Sequence, residues 1–389
     1  MKDRILVITA KQLHNDNRVI NEANALSSFG YDVDLHCLRG KNPTIKIDKY
    51  KFNIIEFELF FQKWQKFYPF KIFKFIELIL KLNIYSKNHD YEIIHSHDMS
   101  GLILAKSLRA FTHPKIKIVY DAHEYETEVN GLHGIKKLFY KITERIFIRK
   151  IDAFITVSDT IASEYQRLYG IVNSTIILNT PNFSNHSLNG NFNHFRKKLN
   201  ISTDQRIFLY QGYLMKGRGI ELLLEAFSET ENDKNVIVFM GNGKLADLVN
   251  YYQLESDSIF YHEFVSGEVL YEYTSSADIG ISFIEDISLS DRYCLPNKLF
   301  EYMNAGLPVI TSNLPEMKKF VETHEIGIVA NDNSVSGFVN AIQEIDEKNI
   351  QRYKNNSIAT SQKINWAAQE LKLNVLYSEL IESTSSRTN

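Results

Sequence analysis

The 389-residue chain is 44% hydrophobic and 23% charged, with a formal net charge of −3 at neutral pH. That length supports two domains, each with its own core, and the near-neutral balance excludes a general nucleic-acid binder, which carries a strong basic excess. Two cysteines, Cys37 and Cys294, lie too far apart for a disulfide framework or a zinc pattern, which points to a reducing, cytoplasmic setting.

The opening "MKDRILVITAKQ" has too short an apolar run for a signal peptide and predicts a strand. No run of roughly 18 uncharged apolar residues follows, so no helix is expected to span a membrane. "RILVITA", "DVDLHCL", "IIHSHD", "IKIVYDA" and "AFITVS" predict strands of a buried parallel sheet, spaced by helical patterns such as "NRVINEANALSSFG" with its terminal glycine. Asp32 and Asp34 spell an Asp-x-Asp pair that can hold a divalent cation, but their alternation along a strand predicts one solvated face. "FFQKWQKFYPFKIFKFIELILKLNIY" mixes aromatics with Lys63, Lys66, Lys71, Lys74 and Lys81. It fits a segment resting on an anionic membrane, or a long helix packed on the sheet with its lysines outside; "IKKLFYKITERIFIRK" repeats the theme.

Two of these strands end in titratable clusters. His95, His97 and Asp98 could hold a metal, because alternate strand residues share a face, but no third well-spaced ligand stands out, and a structural role is expected for His95. His123, near Asp121 and Glu124, either orients a substrate or is structural. After "STIILNTPNF" the polar stretch "SNHSLNGNFNH" predicts a connection between domains, and the pattern restarts with "RIFLYQG", "NVIVFMG", "SIFYHEF", "IGISFIE", "LPVITS" and "GIVA". Two successive βα series predict an α/β protein of two doubly wound Rossmann-like domains facing across a cleft. The expected boundaries are 1–182 for the first domain, 183–195 for the linker, 196–364 for the second, and 365–382 for a helix crossing back to the first, before a frayed "STSSRTN" tail.

Ligands of such sheets bind at the C-terminal strand ends. In "YQGYLMKGRGIELLLEAF", Gly212, Gly217 and Gly219 would let a phosphate approach the backbone while Lys216 and Arg218 supply charge; the rival is a glycine-rich surface turn. "FMGNG" reads best as an ordinary βα turn. "CLPNKLFEYMNAGLPVI" predicts a loop, a short helix with Pro296 in its first turn, a stop at Gly306 and Pro308, and a strand. Leu299, Phe300 and Met303 would face a core, leaving Asn297, Lys298 and Glu301 nearer another surface. The free N–H groups of that helix start suit a phosphate, and Glu301 can accept from sugar hydroxyls; the rival is a solvated Lys–Glu pair.

In order and spacing, these segments resemble the group 1 (family 4) retaining glycosyltransferases over nearly the whole chain. "DNRVINEANALSSFGYDVDLHCL", "HSHD", "YDAHE", "ITVSDTIASEY" and "ILNTPNF" look like the acceptor half. "YQGYLMKGRGIELLLEAF", "ADIGISF" and "LPNKLFEYMNAGLPVI" look like the nucleotide-sugar half, and "NW…LKLNVLY" like the crossover helix. The resemblance implies the GT-B architecture and transfer of a sugar, with retained configuration, from a nucleotide-diphosphate sugar to a glycan or lipid-linked glycan acceptor of the cell envelope. It implies no cofactor and no metal, and it places the enzyme in the cytoplasm, with peripheral contact to anionic membrane at the inner face of the plasma membrane.

Carried over position by position, Arg218 stands at the family's diphosphate-binding lysine and Tyr213 at its arginine, with Lys216 able to supply the missing charge. Glu301 matches the second, ribose-binding glutamate of the family's pair; the first falls on Tyr293, and Pro296 replaces a common glycine. The implied catalytic set is His123, Arg218 and Glu301. The implied donor site is Gly212, Lys216, Arg218, Asn242, Phe264, Val265, Asn297, Lys298, Leu299 and Glu301, and the acceptor lies by Asn17, Arg18 and His97. A sugar-nucleotide epimerase of the same architecture and a catalytically silent nucleotide-sugar-binding partner are the alternatives. A Rossmann oxidoreductase would need GxGxxG where "TAKQLHNDNR" stands.

Overall fold

A computed structural model describes residues 3–13, 16–40, 50–64, 68–182, 192–229 and 234–385. It divides into two compact units, Met1–Leu178 with Gln369–Asn389, and Asn179–Ala368. Residues 183–191 of the expected linker, Lys66 and residues 386–389 lie outside the described residues.

The first unit begins with β1 (Arg4–Gln12), α1 (Asn17–Ser28), β2 (Asp32–Leu38) and β3 (Asn53–Phe57). After a 3₁₀ turn at Phe60–Trp64 come α2 (Tyr68–Ser86), β4 (Ile93–His97), α3 (Asp98–Phe111) and β5 (Lys117–Ala122). The unit continues through α4 (Gly134–Phe147), β6 (Ala153–Thr156), α5 (Asp159–Tyr169) and β7 (Ser174–Ile176). Local signals set these ends: the Asp16 side chain caps α1, Ser158 caps α5, and Gly170 closes α5 in the left-handed region. All strands pair in parallel, in the order β3-β2-β1-β4-β5-β6-β7. The order reverses between β1 and β4, so the C-terminal ends of β1 and β4 border the ligand crevice expected of such a sheet, with β5 next in line.

Three expectations need correction here. Strand β3, absent from the sequence reading, is a half-buried edge whose "NIIEF" has too little pattern to stand out. Asp34 is buried rather than solvated: its carboxylate accepts from Tyr91 Oη at 2.6 Å and Asn53 Nδ2 at 2.9 Å, and lies 3.0 Å from Arg4. The aromatic–lysine segment does not simply turn its lysines outward, because Ile72, Phe73, Ile76, Leu80 and Ile84 of α2 are exposed as well. The same holds on α4, where Ile135, Leu138, Phe139, Ile142 and Ile146 form an apolar stripe in solvent. No helix among the described residues is long and apolar enough to cross a membrane.

The second unit holds α6 (His194–Leu199), β8 (Arg206–Gln211), α7 (Ile220–Glu229), β9 (Asn235–Met240), α8 (Ala246–Glu255), β10 (Ile259–His262) and α9 (Gly267–Thr274). It continues through β11 (Ile279–Ser282), α10 (Leu289–Arg292), α11 (Asn297–Asn304), β12 (Val309–Thr311), α12 (Pro315–His324) and β13 (Gly327–Val329), then α13 (Val335–Glu344) and α14 (Glu347–Lys363). Its strands are also all parallel, ordered β10-β9-β8-β11-β12-β13, and the strand order reverses between β8 and β11. Phe208, Phe239, Ile281 and Phe283 of the sheet bury against Leu224 and Phe227 of α7 and Phe338 of α13. Each such side chain contributes about 2 kcal/mol on leaving water.

Helix α15 (Trp366–Ser385) leaves the second unit at once and belongs to the first from Gln369 onward. The Gln369 side chain accepts from the Leu178 amide at 3.1 Å, Lys372 Nζ donates to Ile176 O at 3.0 Å, and Tyr377 is fully buried. The helix runs through Ser385, so the first residues of the expected frayed tail are helical.

Candidate functional site

In the first unit the titratable residues gather at the ends of β4 and β5. Arg18 and Glu22, one turn apart on α1, turn inward rather than to solvent. Arg18 donates from Nε and Nη2 to both Asp121 oxygens at 2.8 Å, donates from Nη1 to Ile177 O at 2.9 Å, and lies 3.2 Å from Glu22. Asp121 also lies 3.2 Å from His97 Nδ1 and 3.2 Å from His123 Nε2, and those two imidazoles share a hydrogen bond of 2.9 Å. His95 stacks on His97, meets Glu22 at 3.1 Å and shares a 2.7 Å hydrogen bond with Tyr377 Oη of α15. His95 is thus held by partners on both ring nitrogens.

Charge follows from these contacts. Burial resists ionisation of Asp121, but Arg18 and the imidazoles hold it well below the usual carboxylate range. Burial also opposes protonation of His95, yet Asp121 and Glu22 raise it from 6.5 to about 9. Burial and the His95 charge lower His97, keeping it neutral, while Asp98 and Asp121 overcome burial and raise His123. The His123 imidazole, 16% exposed at the end of β5, is therefore shifted toward its protonated, donating form.

Asp98 does not share the strand face of His95 and His97. It starts α3 with a left-handed φ of 58°, a strained setting for a non-glycine residue, and turns its carboxylate to His123 Nδ1 at 3.4 Å and to Lys11. The reason for setting a metal aside also changes: Glu22 and Asp121 supply ligand atoms within 4.8 Å of those of His95 and His97. The Arg18 guanidinium, however, already lies against both carboxylates, so the set fits an ion network better than a divalent cation. Of the three residues expected at the acceptor, Asn17 is exposed, whereas Arg18 and His97 are buried members of this network. Glu22 was missed by the sequence reading; an Arg–Glu pair one turn apart on the buried face of an amphipathic helix was its signal.

In the second unit, the loops after β8 and β11 meet across the point where the strand order reverses. Gly219 N donates to Glu285 Oε1 at 3.1 Å, Glu285 N donates to Gly217 O at 3.1 Å, and Arg218 lies 3.5 Å from Asp291. The Gln211 side chain, at the end of β8, donates to Glu301 of α11, and the Gln211 amide donates to Tyr302 Oη at 2.9 Å. The glycine turn and the start of α11 are thereby tied together.

The turn offers side chains more than backbone. The amides of Gly212, Leu214, Arg218 and Gly219 donate to Met240 O, Asn242 O, Met215 O and Glu285. Lys216 is exposed and Arg218 partly so. "FMGNG" is more than an ordinary turn: a Cβ on Gly241 would come within 1.9 Å of Gly212 O, so the backbone of one loop rests on the other. Asn242 holds that loop through its carbonyl and exposes its side chain; Phe264 is exposed and Val265 partly so, beyond β10 on the same sheet edge.

Helix α11 spans Asn297–Asn304 as expected, with Pro296 as its cap rather than inside its first turn. Its first two N–H groups, on Asn297 and Lys298, have no acceptor inside the helix. Leu299 does not join them, since its amide donates to Pro296 O at 3.0 Å and its side chain is fully buried. Gly306 ends the helix at φ 71°. Lys298 and Glu301 are not a solvated pair: Lys298 Nζ is enclosed 3.7 Å from the centre of the Tyr210 ring, and burial raises the Glu301 carboxyl although Gln211 and Lys298 pull it down. Gln211 and Asp291 were missed; a single polar residue ending an otherwise apolar strand was the only sign of the first. A large surface hollow lies beside Arg206, Asn235 and Asp278, at the opposite sheet edge, and no expected site residue lines it.

Comparison with known proteins agrees with this fold. Residues 16–180 match the family model "Glycosyltransferase Family 4", and residues 191–362 match "Glycosyl transferases group 1". An uncharacterised glycosyltransferase of Haemophilus influenzae is 23% identical over 349 residues, covering 83% of this chain and 84% of that protein. Among solved structures, sucrose-phosphate synthase of Thermosynechococcus elongatus superposes with a TM-score of 0.79 at 19% identity, over 98% of this chain and 100% of the other. HepE of Anabaena, solved in complex with UDP-glucose, gives 0.72 at 12% identity, over 97% and 99%.

Proposed function

Since the chain belongs to the group 1 glycosyltransferases and has the two Rossmann-like units of the GT-B fold, we propose that it transfers a sugar from a nucleotide-diphosphate sugar, with retained configuration and without a metal. The observation that carries this reading is the tie between the Arg218 turn and the start of α11, which gathers two cations, a helix N-terminus and the Glu301 carboxylate at the reversal point of one sheet. That combination suits a diphosphate and a ribose. HepE, of the same fold, binds UDP-glucose, which supports a nucleotide sugar as donor.

When the bond between the sugar and the diphosphate breaks, negative charge grows on the leaving phosphate. Arg218, Lys216, Lys298 and the amides of Asn297 and Lys298 stabilise that charge, taking the place of a metal. The acceptor hydroxyl attacks the anomeric carbon from the leaving-group side and gives its proton to the departing phosphate oxygen. Glu301 accepts from the ribose hydroxyls, and His123 is assigned to the transferred sugar by the family resemblance.

The acceptor is proposed to be a glycan on a lipid carrier of the cell envelope, reached from the cytoplasmic face of the membrane. The exposed stripe of α4, beside Lys136, Lys137, Lys141 and Arg145, supports this, because apolar and cationic groups together suit an anionic bilayer surface. The deciding experiment is a thermal-shift screen against a panel of nucleotide sugars, followed by a transfer assay with the donor that binds. Binding with transfer to a lipid-linked glycan is expected. Donor turnover without acceptor would instead favour an epimerase, and binding without any turnover a silent partner.

A further inference from the structure

Lys298 stands out among the cations of the second unit. Its side chain is enclosed, and among the described residues its Nζ has no hydrogen-bond acceptor. It rests over the Tyr210 ring, whose face attracts a cation but offers no lone pair. Burial holds it well below the usual ammonium range, and Arg218 pushes in the same direction; Glu301 and Cys294 pull weakly the other way. None of these neighbours compensates an ammonium. Glu301 accepts from Gln211, Asp291 lies beside Arg218, and Cys294, pushed up by burial to about 12, is a neutral thiol. The Tyr210 and Tyr302 phenols are likewise held protonated by burial.

A buried lysine with no partner is costly when charged, yet Lys298 shares the first turn of α11 with unpaired N–H groups and lies near Arg218. All of these features favour an incoming anion and disfavour a further cation. We propose that Lys298 is a proton-coupled receptor for the diphosphate: a neutral amine in the free protein and an ammonium once a phosphate oxygen lies against it, so that nucleotide binding draws a proton from solution. This rests on the donor reading above and adds its charge balance. The lysine supplies a positive charge only where and when the nucleotide supplies the negative one. On product release the proton returns to solvent, which removes the attraction that would otherwise retain the nucleoside diphosphate.

The test is titration calorimetry on the whole chain with UDP, GDP, ADP and dTDP, above pH 7.5, where the terminal phosphate, whose second pKa is about 6, is already ionised. The heat measured in buffers of different ionisation enthalpy gives the protons taken up. Close to one proton per bound nucleotide is expected, with affinity falling as pH rises toward 9. Lys298→Met should abolish the uptake and weaken binding about 10- to 100-fold, the range of a lost hydrogen bond to a charged group. It should also melt at a higher temperature than the parent, because an unpaired buried polar group has been replaced by an apolar one of similar length. Binding with heats that do not depend on the buffer, or uptake that persists in Lys298→Met, overturns the proposal while leaving the donor site intact. Failure of all four nucleotides to bind overturns the donor reading itself, and this inference with it.

Discussion

Gln211 bridges Glu301 and Thr274: its side-chain nitrogen donates to the Glu301 carboxylate, and its oxygen accepts from the Thr274 hydroxyl at 2.8 Å. A strand end, the second turn of α11 and the end of α9 are pinned by one side chain. Gln211 thus acts on the proposed ribose site through Glu301 rather than by touching the reacting atoms. Gln211→Ala should raise the donor KM by roughly tenfold, the value of a hydrogen bond to a charged group, while kcat changes little. Steady-state kinetics with the donor varied separates the two. Equal losses in both parameters would give Gln211 a different role.

Arg218 and Glu301 should behave differently from Gln211. Arg218 is partly exposed and faces a developing charge, so Arg218→Ala is expected to lower the transfer rate by about 10²–10³ while the melting temperature stays close to that of the parent. Glu301→Ala should lose transfer to a similar extent and also lose nucleotide affinity. Near-normal turnover in either variant would remove that residue from the site.

How legible was this site in the sequence? Most strands were, β3 excepted, because continuous apolar runs such as "NVIVFM" and "RIFLYQ" leave no other element of that length, and the stop at Gly306 and Pro308 fixed the end of α11. Side-chain burial was not legible. The spacing of Lys298 and Glu301 allowed a solvated pair, and nothing local told that Tyr210, nearly 90 positions earlier, would lie beneath the lysine. The burial of Arg18 was hidden for the same reason: its partners Asp121 and Ile177 are more than 100 positions away. Charges whose partners are remote in sequence read as exposed. Gly241 stood in what reads as an ordinary turn, and only the structure shows that it packs one loop on another.

Gly219 gives a prediction about packing. Its φ is +70°, and an added Cβ would fall 2.3 Å from the Phe283 ring, which is itself enclosed in the core of the second unit. Gly219→Ala combines backbone strain with an overpacked core, each costing about 1–3 kcal/mol. Thermal melting should fall by several degrees, and Arg218, the preceding residue, should shift enough to weaken nucleotide binding. Gly212→Ala makes a useful contrast: with φ +127° and open space around its Cβ, it should show only the backbone cost.

The network around Asp121 predicts a pH dependence. His95 is held at about 9 in the folded protein against an ordinary 6.5, so the folded state binds its proton more tightly than the unfolded chain. The resulting stabilisation is complete below about pH 6.5 and is lost as pH rises through 9; the raised His123 acts in the same direction. His97, lowered by burial, works oppositely and penalises the folded state as pH falls. A displacement of roughly 2.5 pH units corresponds to at most about 3 kcal/mol. Melting temperature should therefore decline between pH 6.5 and 9, and His95→Gln should flatten that decline. Tyr377→Phe should lower stability by about 1–3 kcal/mol, because it leaves a buried imidazole nitrogen without its partner. A flat pH profile in the parent would mean that His95 is neutral in the fold.

The apolar stripe of α4 bears on the acceptor. Five large side chains, from Ile135 to Ile146, are half or more exposed on one helix, and the exposed charged residues among them are cationic because Glu144 points inward to Tyr120, Tyr165 and Tyr169. Glu128 faces Lys137 and Lys141 and offsets part of that charge. On an anionic bilayer each remaining basic residue contributes about 1 kcal/mol and each buried methylene about 0.8. Liposomes containing acidic lipid should therefore carry the protein upward in a flotation gradient, more weakly at high salt and hardly at all when the lipid is zwitterionic. Replacing Leu138 and Ile142 by aspartate should abolish flotation without unfolding the unit, since both side chains already stand in water. If the parent protein stays at the bottom of the gradient with acidic vesicles, the lipid-linked acceptor loses its physical support and a soluble glycan takes its place.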